Sequence, residues 1–499
     1  MVSLKEHQLA GVDWMWEKVK NRRGVILGDE MGTGKTAQVL KVVERVWETV
    51  GKSVLIVAPC TLLQNWKREM KNFDINIPVK IVRNGDASIQ KTLRSADGNY
   101  ILIAGYELVQ KREADIMRMY FDILVLDEAQ RVKNRNTKIS KLCRAVDARA
   151  KICITGTPIQ NNLSELWSIV EMVKPGHFGD YQKFKTEIEG PLKQSTLKTA
   201  LPEDRKKGEG IKQHINKLIS EIVLRRTKEQ LGMQIPEKTE HIIYCPLSEA
   251  QQEKYASALE MDIMRSTVMG KTNPLKTITY LKGICSHPSA VCSIDISGEV
   301  PKDKKKRRSG KSKLWTESGK MKTLHRLLFQ WRNSKRKVIV FSQYKEVLRI
   351  LEDMCSENIF YKIDGDTPVH RRQEIFQIFG NSGGLEILLM TTKVGGVGVN
   401  LQQSNTVILF DMDWNPFNEE QAKGRAHRIG QMHEVEVYKF VCKGTIEETI
   451  GMVQEVKKSI SEGILDGAKT KKAFEKVDLC KLFHYSHDPD DITELGNYK

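Results

Sequence analysis

Two short stretches carry the residue types that phosphate chemistry needs. The first, GDEMGTGKT at 28–36, follows the apolar run GVIL and precedes the helix-like AQVLKVVERVWETV. At such a strand-to-helix turn, backbone N–H groups around Gly32 and Gly34 can cradle phosphate oxygens. Lys35 can reach the β and γ phosphates, and Thr36 can hold Mg2+. Asp29 stands where the commonest form of this loop has Gly or Ala, so the strand-loop-helix context carries the assignment against a chance GxGKT in an ordinary loop.

The second stretch, VLDEAQ at 125–130, lies about ninety residues downstream and ends an apolar run in two adjacent carboxylates. An acid at the end of a buried strand beside a phosphate loop can bind the metal's water shell, and a second can orient the attacking water. Asp127 is the metal-side candidate and Glu128 the base. Alone, the pair reads equally well as a solvated strand end; with GxGKT upstream it indicates a nucleoside triphosphatase.

The elements that must position these residues are short apolar runs. GVILG, SVLIVAP, YILIAG, FDILVLDEAQ and KICITGTP occupy the first third, each followed by polar turn residues. Such near-continuous runs predict parallel strands covered on both faces. KVIVFSQY, FYKIDG, LEILLMTT, TVILFDMD and VEVYKFV repeat the pattern after residue 336. Between them, from about 175 to 318, the text turns to charged helix-like segments. A chain of 499 residues exceeds one ordinary core. The expected organisation is therefore an ATP-binding α/β lobe at 1–175, a helical insertion belonging to it at 176–240, a helical insertion and connector at 241–317, a second α/β lobe at 318–465 and a tail at 466–499.

Lys and Arg number 80 against 63 Asp and Glu, a net charge of +17. That balance suits a polyanionic partner, nucleic acid or an anionic surface, but serves solubility equally. Nine cysteines without a C-x-x-C pair read as reduced packing residues of an intracellular protein. No apolar window approaches a membrane span, so no membrane partner is expected. The stretch PKDKKKRRSGKSK at 301–313 carries no packing residue. It reads first as a nuclear import signal, with a DNA-contacting arm or a solvated insertion as alternatives. His484 and His487 read as a tail feature rather than a zinc site.

LKEHQLAGVDWM, DEMGTGKT, LIVAPCTLLQNW, DEAQRVKN, TGTPIQNNLSELWSI, VLRRTK, TTKVGGVGVNL, DMDWNPFNEEQAKGRAHRIGQ and GTIEETI run in order through about 4–450. In these motifs the sequence resembles the SWI/SNF-type ATPases of helicase superfamily two. The second-lobe TTKVGGVGVNL and the short helical insertion leading to VLRRTK look closer to its Cockayne syndrome group B and recombination-repair branches than to the large remodellers. The resemblance implies two RecA-like P-loop lobes with parallel sheets, ATP and Mg2+ as cofactors, and double-stranded DNA as the track.

By that likeness Gln8 recognises adenine. Asp29, Glu30, Met31, Gly32, Thr33, Gly34, Lys35 and Thr36 form the phosphate loop, and Asp127 joins Thr36 at the metal. Glu128 orients water with Gln130 beside it, while Gly398, Gln421, Arg425 and Arg428 serve the γ-phosphate side from the second lobe. Arg425 and Arg428, three apart, fall on one face if the segment is helical. Gly156 and Thr157 couple nucleotide state to DNA. Asn65, Trp66 and Lys67, with Lys393, Trp414 and Asn415, line the DNA path. Trp66 and Trp414 are equally readable as core anchors.

Two positions depart from the family pattern, Gln130 where His is common and Glu419 where Asp is common. Glutamine still donates and accepts hydrogen bonds but carries no proton charge. The expected function is an ATP-dependent duplex translocase in the nucleus that shifts nucleosomes or displaces bound proteins, with targeting by accessory subunits, the insertions or DNA structure. The alternatives are a repair or recombination motor without nucleosome sliding, a strand-separating helicase, and a catalytically silent DNA-binding scaffold.

Overall fold

The structure is a computed structural model and describes residues 3–82, 100–156, 163–195, 200–233, 235–268, 274–291, 314–395 and 401–465. The basic stretch at 301–313 and the tail at 466–499 lie outside the described residues. The chain divides into two compact units, one built on residues up to 234 and the other on residues 235–456. Both are α/β, as the strand pattern predicts.

The first unit holds a parallel sheet in the order β3-β4-β2-β5-β6-β1-β7. Its strands are β1 (Val25–Leu27), β2 (Ser53–Ala58), β3 (Val79–Val82), β4 (Tyr100–Gly105), β5 (Phe121–Asp127), β6 (Ala148–Ile154) and β7 (Val223–Leu224). Every residue of β1 and β4 is buried, because helices cover both faces. Three helices matter below: α1 (Glu6–Val19), α2 (Lys35–Thr49) and α3 (Leu63–Asn72).

Register decides where the site falls. Leu27 of β1 and Asp127 of β5 both pair with Ile154 of β6, one from each side. The loops leaving β1, β5 and β6 therefore emerge side by side at the carboxyl edge. With adjacent strands about 4.8 Å apart, the ends of β1 and β5 stand roughly 10 Å from one another across β6. That is the place where open parallel sheets bind ligands.

The second unit holds a sheet in the order β10-β11-β9-β12-β13-β8. Its strands are β8 (Lys238–Cys245), β9 (Lys337–Ser342), β10 (Ile359–Ile363), β11 (Glu386–Thr391), β12 (Thr406–Leu409) and β13 (Val435–Cys442). Charges that begin its buried strands are neutralised in place. Lys337 Nζ lies 2.8 Å from Glu386 on the paired strand and also donates to the Ser382 and Gly384 carbonyls.

The region at 176–317, expected to be helical, contributes one edge strand to each sheet. Val223–Leu224 is too short to register as a run, and Lys238–Cys245 is broken by Lys, Thr, Glu and His. An edge strand tolerates this because much of it faces water: Ile242 and Tyr244 are half exposed. No helix among the described residues is long and apolar enough to cross a membrane.

The core of the second unit contains a fully buried ion pair. Lys320 Nζ lies 2.7 Å from Glu447 Oε1 and donates to the Phe410 carbonyl, while the Cys442 N–H donates to the other Glu447 oxygen. Glu447 pushes the Lys320 ammonium above its usual range, against the opposing effect of burial. Lys320→Met strands a buried carboxylate and is expected to cost about 3–5 kcal/mol. Urea denaturation followed by fluorescence checks this, and Lys320→Met with Glu447→Gln is expected to recover most of the loss.

Candidate nucleotide site

The phosphate loop forms as its glycines require. Gly32 and Gly34 have φ of +86° and +82°, a region unfavourable to side chains. A Cβ on Gly34 would lie 2.1 Å from Gln8 Nε2, so space as well as torsion demands glycine there. The loop leaves β1 and opens directly into α2, whose first residues are Lys35 and the half-buried Thr36. Thr33 braces the turn by donating to the Glu30 carbonyl at 2.9 Å. Lys35 Nζ lies 2.8 and 3.0 Å from the carbonyls of Asp29 and Glu30.

Gln8 is buried against this loop. Its amide donates to the Thr33 carbonyl at 3.2 Å, and its oxygen accepts from the Lys5 N–H at the start of α1. His7 Nε2 also lies 3.1 Å from the Thr33 carbonyl. Met31 packs on the other side, where a Cβ on Gly156 would meet its side chain at 2.7 Å.

Asp127 is held by three hydrogen bonds. The Trp66 indole donates to Oδ2 at 2.9 Å, the Glu128 N–H donates to Oδ1 at 2.9 Å, and the Tyr106 hydroxyl donates to the Asp127 carbonyl at 2.7 Å. Burial, and then the charge of Glu128, push the Asp127 carboxyl up to about 7, while Trp66, the Glu128 amide and Lys35 pull the other way. Glu128 itself adopts φ +51°, ψ +52°, a left-handed conformation that costs a side-chain-bearing residue roughly 1–2 kcal/mol. Such strain is found where a side chain must be aimed. Gln130 fixes the aim: Nε2 donates to Glu128 Oε2 at 2.5 Å, and Oε1 accepts from Thr155 Oγ1 at 3.0 Å. A continuous chain thus joins Glu128 to Thr155 at the end of β6.

Of the two readings of Trp66, DNA contact and core anchor, its burial agrees with the second. As a DNA-contact candidate it would need exposure, yet it is 1% exposed and among the largest fully buried side chains. Its neighbours differ: Lys67 is exposed, and Asn65 is half-buried with its side-chain oxygen accepting from Arg68. Asp29 is also redefined. Its fully buried carboxylate accepts from the Arg226 N–H, Nε and Nη2 and from Gln38, which leaves the main chain as what it offers a ligand.

Arg226 is the functional residue that sequence reasoning missed. Besides Asp29, it donates to the His7 carbonyl at 2.7 Å and to Gln38 at 3.1 Å, tying α1, the phosphate loop and α2 together. Arg225 Nη1 reaches the Gly28 and Gly156 carbonyls, and the Lys228 N–H donates to Glu30. The segment VLRRTK is therefore a clamp on the phosphate loop. In the sequence VLRRTK stands only as one motif of the resemblance, and a buried acid at position 29 requires a cation without indication of which one.

In the second unit Gln421 and Arg425 lie on the helix Pro416–Ala426 and are half-buried. Arg428 does not share that helical face. The helix ends at Ala426, and His427 departs from it with φ −90°, ψ +86°, its ring against the Pro236 carbonyl. Arg428 stands in the following turn, closed by the Gln431 N–H to the Arg428 carbonyl and by Gly430 at φ +92°. Asn415 caps this helix by accepting from the Phe417 N–H, and Trp414 packs partly buried on the core around Tyr255. Glu419 is buried, accepting from the Asp413 N–H and Gln454 and pairing with Lys439 at 2.9 Å. Thr157, Gly398 and the side chain of Lys393 lie outside the described residues.

Arg226→Ala leaves Asp29 buried without its counter-charge. It is expected to lower the stability of the first unit by about 3–5 kcal/mol in chemical denaturation, with Arg226→Lys intermediate because a point charge cannot reproduce the fork.

Residues 7–290 match the family described as SNF2-related domain, and residues 319–430 match the family described as helicase conserved C-terminal domain. The chain is similar to the DNA excision repair protein CSB of Oryza sativa subsp. japonica, 31% identical over 99% of this chain and 44% of that protein. It is similar to Protein CHROMATIN REMODELING 8 of Arabidopsis thaliana, 32% identical over 99% of this chain and 44% of that protein. A solved structure, the Sulfolobus solfataricus SWI2/SNF2 ATPase core in complex with dsDNA, matches at 26% identity and a TM-score of 0.44, covering 97% of this chain and 98% of that one. The chain spans less than half the length of the two curated relatives. The likeness to the excision repair protein agrees with the branch its second-lobe motif suggests, and the match over 7–290 shows that this chain belongs to the SNF2-related family.

Proposed function

We propose that the protein is an ATP-dependent translocase on double-stranded DNA that shifts nucleosomes or displaces bound proteins in the nucleus. The observation that carries the reading is the gathering of Lys35, Asp127, Glu128, Gln130 and Thr155 at one carboxyl edge, with the last three linked by hydrogen bonds. Membership of the SNF2-related family supports the DNA track, and relatives named for excision repair and for chromatin remodelling support both uses. Targeting is assigned to accessory subunits, the insertions or DNA structure.

The residues suit a magnesium nucleotide. The glycine torsions leave a cradle for phosphate, and two adjacent carboxyls, one buried and driven up to about 7, favour a nearby cation. Mg2+ held by Thr36 and Asp127 would supply charge neutralisation of the phosphates. Lys35 would exchange its carbonyl partners for phosphate oxygens. Glu128 would orient water, held by Gln130 against Thr155, and Gln8 would meet the adenine. Gln421, Arg425 and Arg428, with Gly398, are assigned to the γ-phosphate, where the arginines stabilise developing negative charge. Gly156 and Thr157 are assigned to sensing the nucleotide state. Asn65, Lys67, Lys393, Trp414 and Asn415 are assigned to sequence-independent contact with DNA.

ATP turnover without DNA and with single strands, duplex and nucleosomes, beside a sliding assay, tests the reading. Stimulation by duplex is expected, and Lys35→Ala is expected to reduce turnover at least about a hundredfold, within the range that one electrostatic donor supplies. Undiminished turnover in that variant refutes the site. Nucleosome stimulation well beyond duplex favours remodelling, and equal stimulation without sliding favours a repair motor. Because burial and then the charge of Glu128 push the Asp127 carboxyl up to about 7, protons compete with the cation on the acid side. The Mg2+ concentration for half-maximal turnover is therefore expected to rise roughly tenfold per pH unit below that point, checked by Mg2+ titrations between pH 8 and pH 6.

A further inference from the structure

Helix α3 presents two different faces within one turn. Successive residues of a helix point about 100° apart, so Asn65 and Lys67 flank Trp66 on either side. Lys67 is exposed and Asn65 half-buried, whereas Trp66 runs inward to place its indole N–H 2.9 Å from Asp127 Oδ2. The helix is short and anchored, beginning just after β2, the strand that pairs with β5, and the Trp66 N–H itself donates to the Leu62 carbonyl.

Among the described residues, that indole is one of two donors to the Asp127 carboxylate, and they take opposite oxygens. The Glu128 donor belongs to the same strand end and moves with Asp127. Trp66 reaches it from a separate element, so the angle of the carboxylate depends on where α3 lies. A hydrogen bond to an ionised group is among the stronger ones, and in this buried setting its loss is not made good by water.

We propose that Trp66 is a positioning residue, which holds Asp127 in the orientation that receives the divalent cation and carries the state of the outer face of α3 to that carboxylate. The proposal rests on the reading of Asp127 as the metal-side acid and of Asn65 and Lys67 as DNA contacts. It supplies a route by which duplex on one face of a single helical turn adjusts the cation site behind it.

Trp66→Phe keeps most of the packing and removes the N–H. Mn2+ binding in the presence of a non-hydrolysable ATP analogue, read from the free-ion EPR signal, is expected to weaken about tenfold, while metal-free affinity for the analogue and affinity for duplex stay unchanged. The ratio of turnover with duplex to turnover without it is expected to fall by at least half. Unchanged Mn2+ affinity overturns the positioning role, and weakened Mn2+ binding with an unchanged ratio overturns the link to the outer face. If the wild-type chain itself ignores duplex, the translocase reading fails, and the Mn2+ measurement still judges Trp66. Should Trp66→Phe fail to fold, 19F NMR of the native chain grown on 5-fluorotryptophan replaces it. Of the eight tryptophan resonances, at least one is expected to broaden at substoichiometric Mn2+ with the analogue, and none broadening overturns the proposal.

Discussion

The pairing of Leu27 and Asp127 to the same residue, Ile154, is the constraint on which the first unit depends. It aligns three strand ends, and each end then delivers what its neighbours lack. β1 leads into glycine torsions and a lysine, β5 ends in two carboxylates, and β6 leads to Thr155, whose backbone N–H donates to the Leu27 carbonyl. A slip of one residue in β5 would turn Asp127 to the opposite face of the sheet and break the chain from Glu128 through Gln130 to Thr155. The two-sided burial of these strands guards the register, since a slip would carry every aliphatic side chain with it.

Holding acids together at a buried edge is electrostatically unfavourable, and the surrounding structure offsets it unevenly. Asp29 is fully satisfied by Arg226 and Gln38 and so serves architecture. Asp127 is only partly satisfied, with its carboxyl driven up to about 7 and Lys35 among the groups that oppose the rise. The same residue type therefore performs two tasks within one site. A paired carboxylate locks the loop, while an underpaired one keeps its appetite for a cation.

Apolar runs made ten of the strands legible in the sequence: most are buried on both faces, which leaves little else for their composition to report, and β10, an edge strand with Ile359 half exposed, shows a run broken only by Lys362. β3, β7 and β8 escaped for physical reasons: they are short or lie at a sheet edge, where lysine, glutamate and histidine are tolerated and the apolar run disappears. Glycine and lysine spacing likewise announced the phosphate loop, since torsion and reach are local properties. What could not be read were side-chain directions set by tertiary packing. Trp66 differs from Lys67 by one position in the chain and by nearly complete burial in space. Arg428 looked helical beside Arg425, but the helix stops at Ala426, where the His427 ring is drawn to the Pro236 carbonyl. Arg226 joins elements nearly two hundred residues away, a relation that no local pattern encodes.

The two departures from the family pattern resolve differently. Glu419 uses its extra methylene structurally, spanning the Asp413 amide, Gln454 and Lys439 from a buried position, so its length is explained by what it reaches. Gln130 is explained by polarity rather than length. It must give a hydrogen to Glu128 and take one from Thr155 at the same moment, and a primary amide presents a donor and an acceptor at opposite ends of one planar group. A neutral imidazole could fill both roles, but only in one tautomer, and a proton on its second nitrogen would remove the acceptor facing Thr155. The amide has no such alternative. At this position glutamine removes a proton-dependent variable from the link between Glu128 and β6, so that the link responds to geometry alone.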